Sequence, residues 1–326
     1  MEAVRVGING FGRIGRCALK CLLKRPDCRV VGINDPADLS DLAHLLKYDS
    51  VHGWYPAKVE AEGDAIRVDE VRIPFFGSRE PGTIPWASVG ADVVIESSGA
   101  FRKRGQAAGH LDAGARRVVL SAPCEDADGT FVLGVNGDAY DPARHRVVSL
   151  ASCTTNSLAP VAKVLHERFG VEHLMITTVH AYTSSQSLMD IPTRKRRRGR
   201  AAALSIVPTS TGAARATALV LPELRGRMDG MALRVPVPDG SVTDIVATLR
   251  TEVTAEKVNG ALREASERPP LLGILRVSDE ALVSRDILGD PHSSIVDAES
   301  TMVLAGRVVK ILAWYDNEWG YASRLA

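Results

Sequence analysis

The stretch Ala151-Ser152-Cys153-Thr154-Thr155-Asn156-Ser157 sets one thiol among hydroxyls and an amide. Three roles are open to it: small buried hydrophobe, metal ligand or nucleophile. A nucleophile needs a base, and His180, ending the run MITTVH, could be one. A histidine at a strand end is equally compatible with plain packing. Leu158, Val161, Ala162, Leu165 and Phe169 recur at helical spacing just beyond Cys153, which puts the sulfur near a helix N-terminus. The positive end of a helix dipole favours thiolate and predicts a lowered thiol pKa. Pro160 complicates the geometry, because a helix starting at Cys153 would carry a proline past its first turn.

Two further clusters could hold anions. Ser210-Thr211-Gly212 offers hydroxyls and backbone N–H groups, and Arg234 sits in MALRVP between apolar neighbours. An arginine so placed needs an anionic partner, either an internal carboxylate or a bound phosphate. The other cysteines lack such company. Cys17 and Cys21 lie one helical turn apart, Cys28 opens the next apolar run and Cys124 follows Pro123. No second ligand pair is spaced for zinc, so packing is the expected role and no metal is expected.

A redox cofactor is suggested at the other end of the chain. Gly10-Phe11-Gly12-Arg13-Ile14-Gly15 reads G-x-G-x-x-G, with an apolar run before it and helical spacing after it. Asp35 follows a second apolar run, 20 positions beyond Gly15. That context is the dinucleotide-binding fingerprint: glycines for the turn, for close approach to pyrophosphate and for helix packing, and a carboxylate for the ribose hydroxyls. Asp35 would repel a 2′-phosphate, so the expected cofactor is NAD.

These groups need a scaffold. The chain has 326 residues, 45% hydrophobic and 24% charged, with a formal net charge of +1. This balance suits a soluble globular chain of about two domains with no field drawing it to membranes or nucleic acid. Five cysteines is an odd number, and MEAVRVGINGFGR lacks the layout of a secretory signal, so a reducing cytoplasm is expected. Up to Cys153, short apolar runs alternate with helical segments, which predicts a parallel sheet with crossover helices. Beyond it, MITTVHAY, GMALRVPV and TDIVATLR alternate, which predicts an antiparallel sheet with one covered face. The expected fold is α/β: a doubly wound Rossmann domain with a parallel sheet, then, beyond a boundary near Leu150, an α+β domain with a largely antiparallel sheet.

Longer motifs are identified with a family. NGFGRIGR at Asn9–Arg16, NDP at Asn34–Pro36, ASCTTN at Ala151–Asn156, TTVHAYT at Thr177–Thr183, PTSTGAA at Pro208–Ala214, GMALRVP at Gly230–Pro236 and WYDNEWGY at Trp314–Tyr321 occur in order. Together the chain resembles the glyceraldehyde-3-phosphate dehydrogenases almost end to end, which implies an NAD-binding Rossmann domain over 1–151 and 315–326 and a catalytic domain over 152–314. The resemblance implies that Cys153 is the nucleophile and His180 its base. It implies that Thr183 and Arg234 hold the substrate's own phosphate. Ser152, Thr154, Thr211 and Gly212, with Arg198 nearby, would hold attacking inorganic phosphate. Asn317 would bind the nicotinamide carboxamide. Arg79, Ser97, Gly99, Ser121 and Tyr321 resemble further NAD contacts. A homotetramer is implied, with the segment from Tyr182 to about Leu204 reaching a neighbouring subunit.

The chain departs from that family at Ser157, where most relatives carry a second cysteine, and at Leu150, where an asparagine is usual. RKRRRGR, Arg194–Arg200, is more basic than is usual. Its plain reading is a solvated or inter-subunit loop, and nucleic acid is not expected as a partner. The rival readings are erythrose-4-phosphate oxidation by the same thiol chemistry, and a binding protein that uses the basic loop.

Overall fold

The computed structural model describes residues 2–326 and divides into two compact units. Met1–Phe131, Ala139–Ala151 and Ala322–Ala326 form the first, and Val132–Asp138 with Ser152–Tyr321 the second.

The first unit is built on a nine-stranded sheet. Its strands run, edge to edge, Gly129–Thr130, Val147–Ser149, Arg117–Leu120, Val93–Glu96, Val4–Asn9, Cys28–Asn34, Val71–Phe76, Ala65–Val68 and Val59–Glu62. All pairings are parallel as far as Val71–Phe76, and the last two are antiparallel. Val4–Asn9 lies between Cys28–Asn34 and Val93–Glu96, so chain order reverses at its C-terminal end. Open α/β sheets bind ligands at such a switch point. The helix Arg13–Leu22 leaves from that end. It buries Cys17, Ala18, Leu19 and Leu22, which explains its apolar spacing.

The second unit carries a seven-stranded sheet in the order Val207–Ser210, Met228–Val235, Val171–Ala181, Ser241–Leu249, Val308–Tyr315, Ser294–Leu304, Leu275–Ser278. Most neighbours are antiparallel. Two pairs, Val171–Ala181 with Met228–Val235 and Leu275–Ser278 with Ser294–Leu304, are parallel. Alternation along a strand reports its faces and not its neighbour's direction, so these two pairings were invisible in the sequence pattern.

Helices Cys153–Phe169, Ala213–Val220 and Ala255–Ser266 pack on one face of this sheet. Register fixes what that face holds. His180 pairs with Arg234 and Ser241 with Tyr315, and all four side chains belong to the helix-covered side. The opposite side holds a row of paired residues, Met302, Lys310, Val246 and Met175, with Met231 and Leu304 flanking it. Its apolar members are exposed, Met175 and Met302 by 58% and 60% and Leu304 by 72%.

Among the described residues no helix is long and apolar enough to cross a membrane.

Candidate active site

The helix carrying the thiol starts at Cys153 itself. Ser152 is its N-cap, and the Ser152 hydroxyl accepts the Thr155 N–H at 3.1 Å. Pro160 lies inside the helix, which still runs to Phe169. Twelve of its residues are buried between sheet and neighbouring helices, and tertiary packing of this kind outweighs a lost hydrogen bond. The strand Val171–Ala181 brings His180 to the same place. Cys153 Sγ and His180 Nε2 are 3.4 Å apart.

The partners of the imidazole assign its proton. His180 Nδ1 is 2.7 Å from the carbonyl oxygen of Ala181, which can only accept, so Nδ1 carries the hydrogen. Nε2 then turns a lone pair toward the thiol. Arg234 Nη1 donates to the same carbonyl at 2.9 Å and also lies 2.9 Å from Nδ1. Burial, with the Arg234 charge adding to it, pushes the imidazole down to about 3. Burial likewise pushes the Cys153 thiol up to about 11, against a downward pull from Arg234. Burial thus runs against the helix-dipole expectation of a lowered thiol pKa: desolvation outweighs the pull of Arg234 and the hydrogen bonds from Thr154. The resting pair is neutral thiol and neutral imidazole, with the acceptor correctly placed.

Arg234 answers the question its sequence context raised. Its charged and ionisable neighbours among the described residues are His180, Cys153, Arg198 and Tyr315, with no carboxylate among them. Its Nε is buried and makes no hydrogen bond. An internal salt bridge is excluded, and a cation left this way is suited to an anion from solution.

Arg198 donates to Thr209 Oγ1 at 3.0 Å and lies 3.5 Å from Ser185 Oγ, whose hydroxyl is 2.8 Å from that of Thr183. Gly212 caps the helix Ala213–Val220 with no side-chain cap, and the Thr211 hydroxyl accepts the Ala213 N–H at 3.2 Å. Thr154 differs from the others. Its side chain is buried, its hydroxyl is 2.9 Å from the Tyr315 hydroxyl, and both its side chain and its backbone hydrogen-bond toward Cys153.

Several groups here escaped the sequence reading. Tyr315 bridges Thr154 and Thr178 from beneath the thiol. The Ala181 carbonyl gathers both His180 and Arg234. Ser241 donates to Asn317 Oδ1 at 2.5 Å and accepts the Ala181 N–H at 3.1 Å. Tyr315 lay in a quoted motif and Ser241 follows the turn Pro238-Asp239-Gly240, but only strand register places them here.

In the first unit the residues fit a dinucleotide. Gly10 has φ +88°, and a Cβ there would lie 2.3 Å from the Ser98 nitrogen. A Cβ on Gly15 would strike the Gly10 carbonyl oxygen at 2.1 Å, so both positions require glycine. A Cβ on Gly12 would meet nothing within 4 Å, and the helix it caps has no side-chain cap. Room is therefore left at Gly12, where the helix begins, as the close approach of a pyrophosphate requires.

Asp35 does more than expected. Its carboxylate accepts the Phe11 N–H at 2.7 Å and the Ala37 N–H at 2.9 Å, so it anchors the glycine loop as well as facing outward. Ser97 donates to Gly10 O at 2.8 Å, and the Ser121 N–H donates to Glu96 O at 3.0 Å. Arg13 pairs with Asp49 at 2.8 Å, Ile14 is half-buried, and Arg79 and Gly99 are exposed. Asn317 and Tyr321 are buried in the second unit.

Beneath the loop lies a closed polar network. Trp86 donates to His110 Nδ1 at 3.0 Å, and His110 Nε2 is 2.9 Å from Glu96. Asn9 donates to the same carboxylate oxygen, and Ser98 N–H and hydroxyl both donate to the other.

Comparison with known proteins agrees with this geometry. Residues 4–104 match the family described as glyceraldehyde 3-phosphate dehydrogenase, NAD binding domain, and residues 152–317 its C-terminal domain. A glyceraldehyde-3-phosphate dehydrogenase of Geobacillus stearothermophilus is 55% identical over 99% of this chain and 96% of its own length. Relatives of the same name from Streptomyces coelicolor and, as form 1, Bacillus subtilis are each 53% identical with the same coverage. A lone thiol–imidazole contact suits many chemistries, but one set beside an arginine without a carboxylate partner, in a chain that both family domains and relatives of over 50% identity match, does not: the chain belongs to the glyceraldehyde 3-phosphate dehydrogenase family.

Proposed function

We propose that this protein oxidises glyceraldehyde 3-phosphate, with NAD and inorganic phosphate, to 1,3-bisphosphoglycerate, and runs the reaction in reverse. The observation that carries the reading is the 3.4 Å contact of Cys153 Sγ with His180 Nε2 beside an arginine that has no carboxylate partner.

His180 Nε2 takes the thiol proton as sulfur attacks the aldehyde carbon, and returns it to the resulting alkoxide. The hemithioacetal so formed can lose hydride, which the free aldehyde cannot do readily. His180 removes the hydroxyl proton as the hydride departs, leaving a thioester on Cys153. Bound NAD supplies the hydride acceptor. Phosphate oxygen then attacks the thioester carbon, the C–S bond breaks, and the thiolate recovers its proton. Arg234 and Thr183 hold the phosphate the substrate brings. Ser152, Thr154, Thr211, Gly212 and Arg198 hold the one that attacks. The loop Gly10–Ile14 with Asp35, Ser97, Gly99, Ser121, Arg79, Asn317 and Tyr321 would hold the cofactor.

The protein would act in the cytoplasm, where its five cysteines stay reduced. The exposed apolar row on the outer face of the second sheet supports assembly with further copies, as a homotetramer. Light scattering should then report four times the chain's mass.

Purified protein should form NADH only when aldehyde and phosphate (or arsenate) are both present. Ordinary turnover by Cys153→Ser would sink the mechanism. A higher kcat/KM for erythrose 4-phosphate than for glyceraldehyde 3-phosphate would reassign the substrate.

A further inference from the structure

Ser241 is fully buried and its hydroxyl has a defined direction. The Ala181 N–H, a fixed donor, occupies one lone pair of Ser241 Oγ at 3.1 Å. The hydroxyl hydrogen has a single acceptor among the described residues, Asn317 Oδ1 at 2.5 Å. If the Asn317 amide were turned over, two donors would face each other or the buried O–H would be left without an acceptor, and either is disfavoured. The amide is therefore held with Oδ1 inward. Its Nδ2 makes no hydrogen bond to any described residue.

We propose that Ser241 is a positioning residue: by locking the flip of Asn317, it makes the presented face of that amide a pure hydrogen-bond donor, matched to the carbonyl oxygen of a nicotinamide carboxamide. The proposal rests on the cofactor reading given above. It adds a link absent from that reading. The Ala181 N–H that aligns Ser241 belongs to the strand residue whose carbonyl holds the His180 imidazole. One backbone segment thus sets both the base and the group that orients the ring to be reduced.

The test is a binding cycle read by calorimetry, independent of turnover. Dissociation constants are measured for wild type, Ser241→Ala, Asn317→Ala and the double variant. Three dinucleotides are used: NAD, its 3-acetylpyridine analogue, which keeps the carbonyl and lacks the amide nitrogen, and its unsubstituted pyridine analogue, which lacks both. Ser241→Ala should weaken NAD and the acetylpyridine analogue by about tenfold each and leave the pyridine analogue unchanged. It should have no further effect once Asn317 is alanine. Ser241→Thr, which keeps the hydroxyl, should restore most of the loss, and melting temperatures establish that each variant is folded.

Equal weakening of all three dinucleotides, or independent multiplication of the two single effects, overturns the proposal. So does an acetylpyridine analogue that binds wild type no better than the pyridine analogue. Failure of the underlying reading looks different: wild type itself would bind none of the three.

Discussion

Two buried histidines, one in each unit, show how differently the same side chain is used. His110 is fully enclosed, and every polar atom around it is answered. Trp86 donates to Nδ1, Nε2 donates to Glu96, and Glu96 collects three more donors from Asn9 and Ser98. His180 is almost as buried but faces a thiol and an arginine and has no carboxylate. Its Nδ1 must share one carbonyl with Arg234, and its Nε2 faces a weak donor. A satisfied network has no free-energy reason to exchange protons. An imidazole held neutral by burial and a nearby cation, with a thiol 3.4 Å from its Nε2, is placed to take one. Burial alone does not separate the two roles; the partners do.

The contrast can be broken in four ways. The largest expected effect is kinetic. His180→Asn should lower kcat by roughly 10²–10⁴-fold with little change in melting temperature, as loss of a general base does. A mild kinetic effect with a large loss of stability would make His180 a packing residue.

His110→Ala should do the opposite. Removing one member of a buried hydrogen-bonded charge network costs about 3–5 kcal/mol, seen as a lower urea midpoint. kcat at saturating cofactor should be largely kept.

Third comes the thiol. With its pKa pushed up to about 11, the alkylation rate of Cys153 by iodoacetamide, without cofactor or substrate, should climb about tenfold per pH unit from pH 7 toward that value. A plateau reached near neutral pH would restore the helix-start expectation and remove the need for a base.

The smallest effect is on acid stability. The folded-state pKa of His180 is lowered to about 3 from an ordinary 6.5, so the unfolded chain binds a proton that the folded one refuses. Stability should fall as pH drops below 6.5, by on the order of 1 kcal/mol per pH unit from this group alone, until about pH 3. Urea titrations between pH 4 and 7 should show a shallower fall for His180→Asn. Equal slopes would mean that the imidazole is not held neutral.

Much of the candidate site was legible because it is written in contiguous letters. The glycine loop, Cys153 and Arg234 each announce themselves by residue type among particular neighbours. Less legible were the contacts made by register. Ser241 and Tyr315 face each other across two strands far apart in sequence, and nothing in either stretch names the other. Least legible were backbone groups. The Ala181 carbonyl that assigns the tautomer of His180 has no letter of its own. The thiol pKa belongs to the same class, since desolvation is a property of what surrounds Cys153 once the helix it opens is packed against the sheet. Val132–Asp138 joins the second unit although flanked by segments of the first, through long-range contacts such as that of Val135 O with Lys163 Nζ.

The uncovered row of Met175, Met231, Val246, Met302 and Leu304 has a consequence for handling the protein as well as for its architecture. If other copies shield that row, folding and assembly share one equilibrium, and stability becomes a function of the protein's own concentration. Dilution would then act as a denaturant: melting temperature should drift downward through a dilution series, and an assay at nanomolar enzyme would sample a different molecule from a calorimeter cell at micromolar.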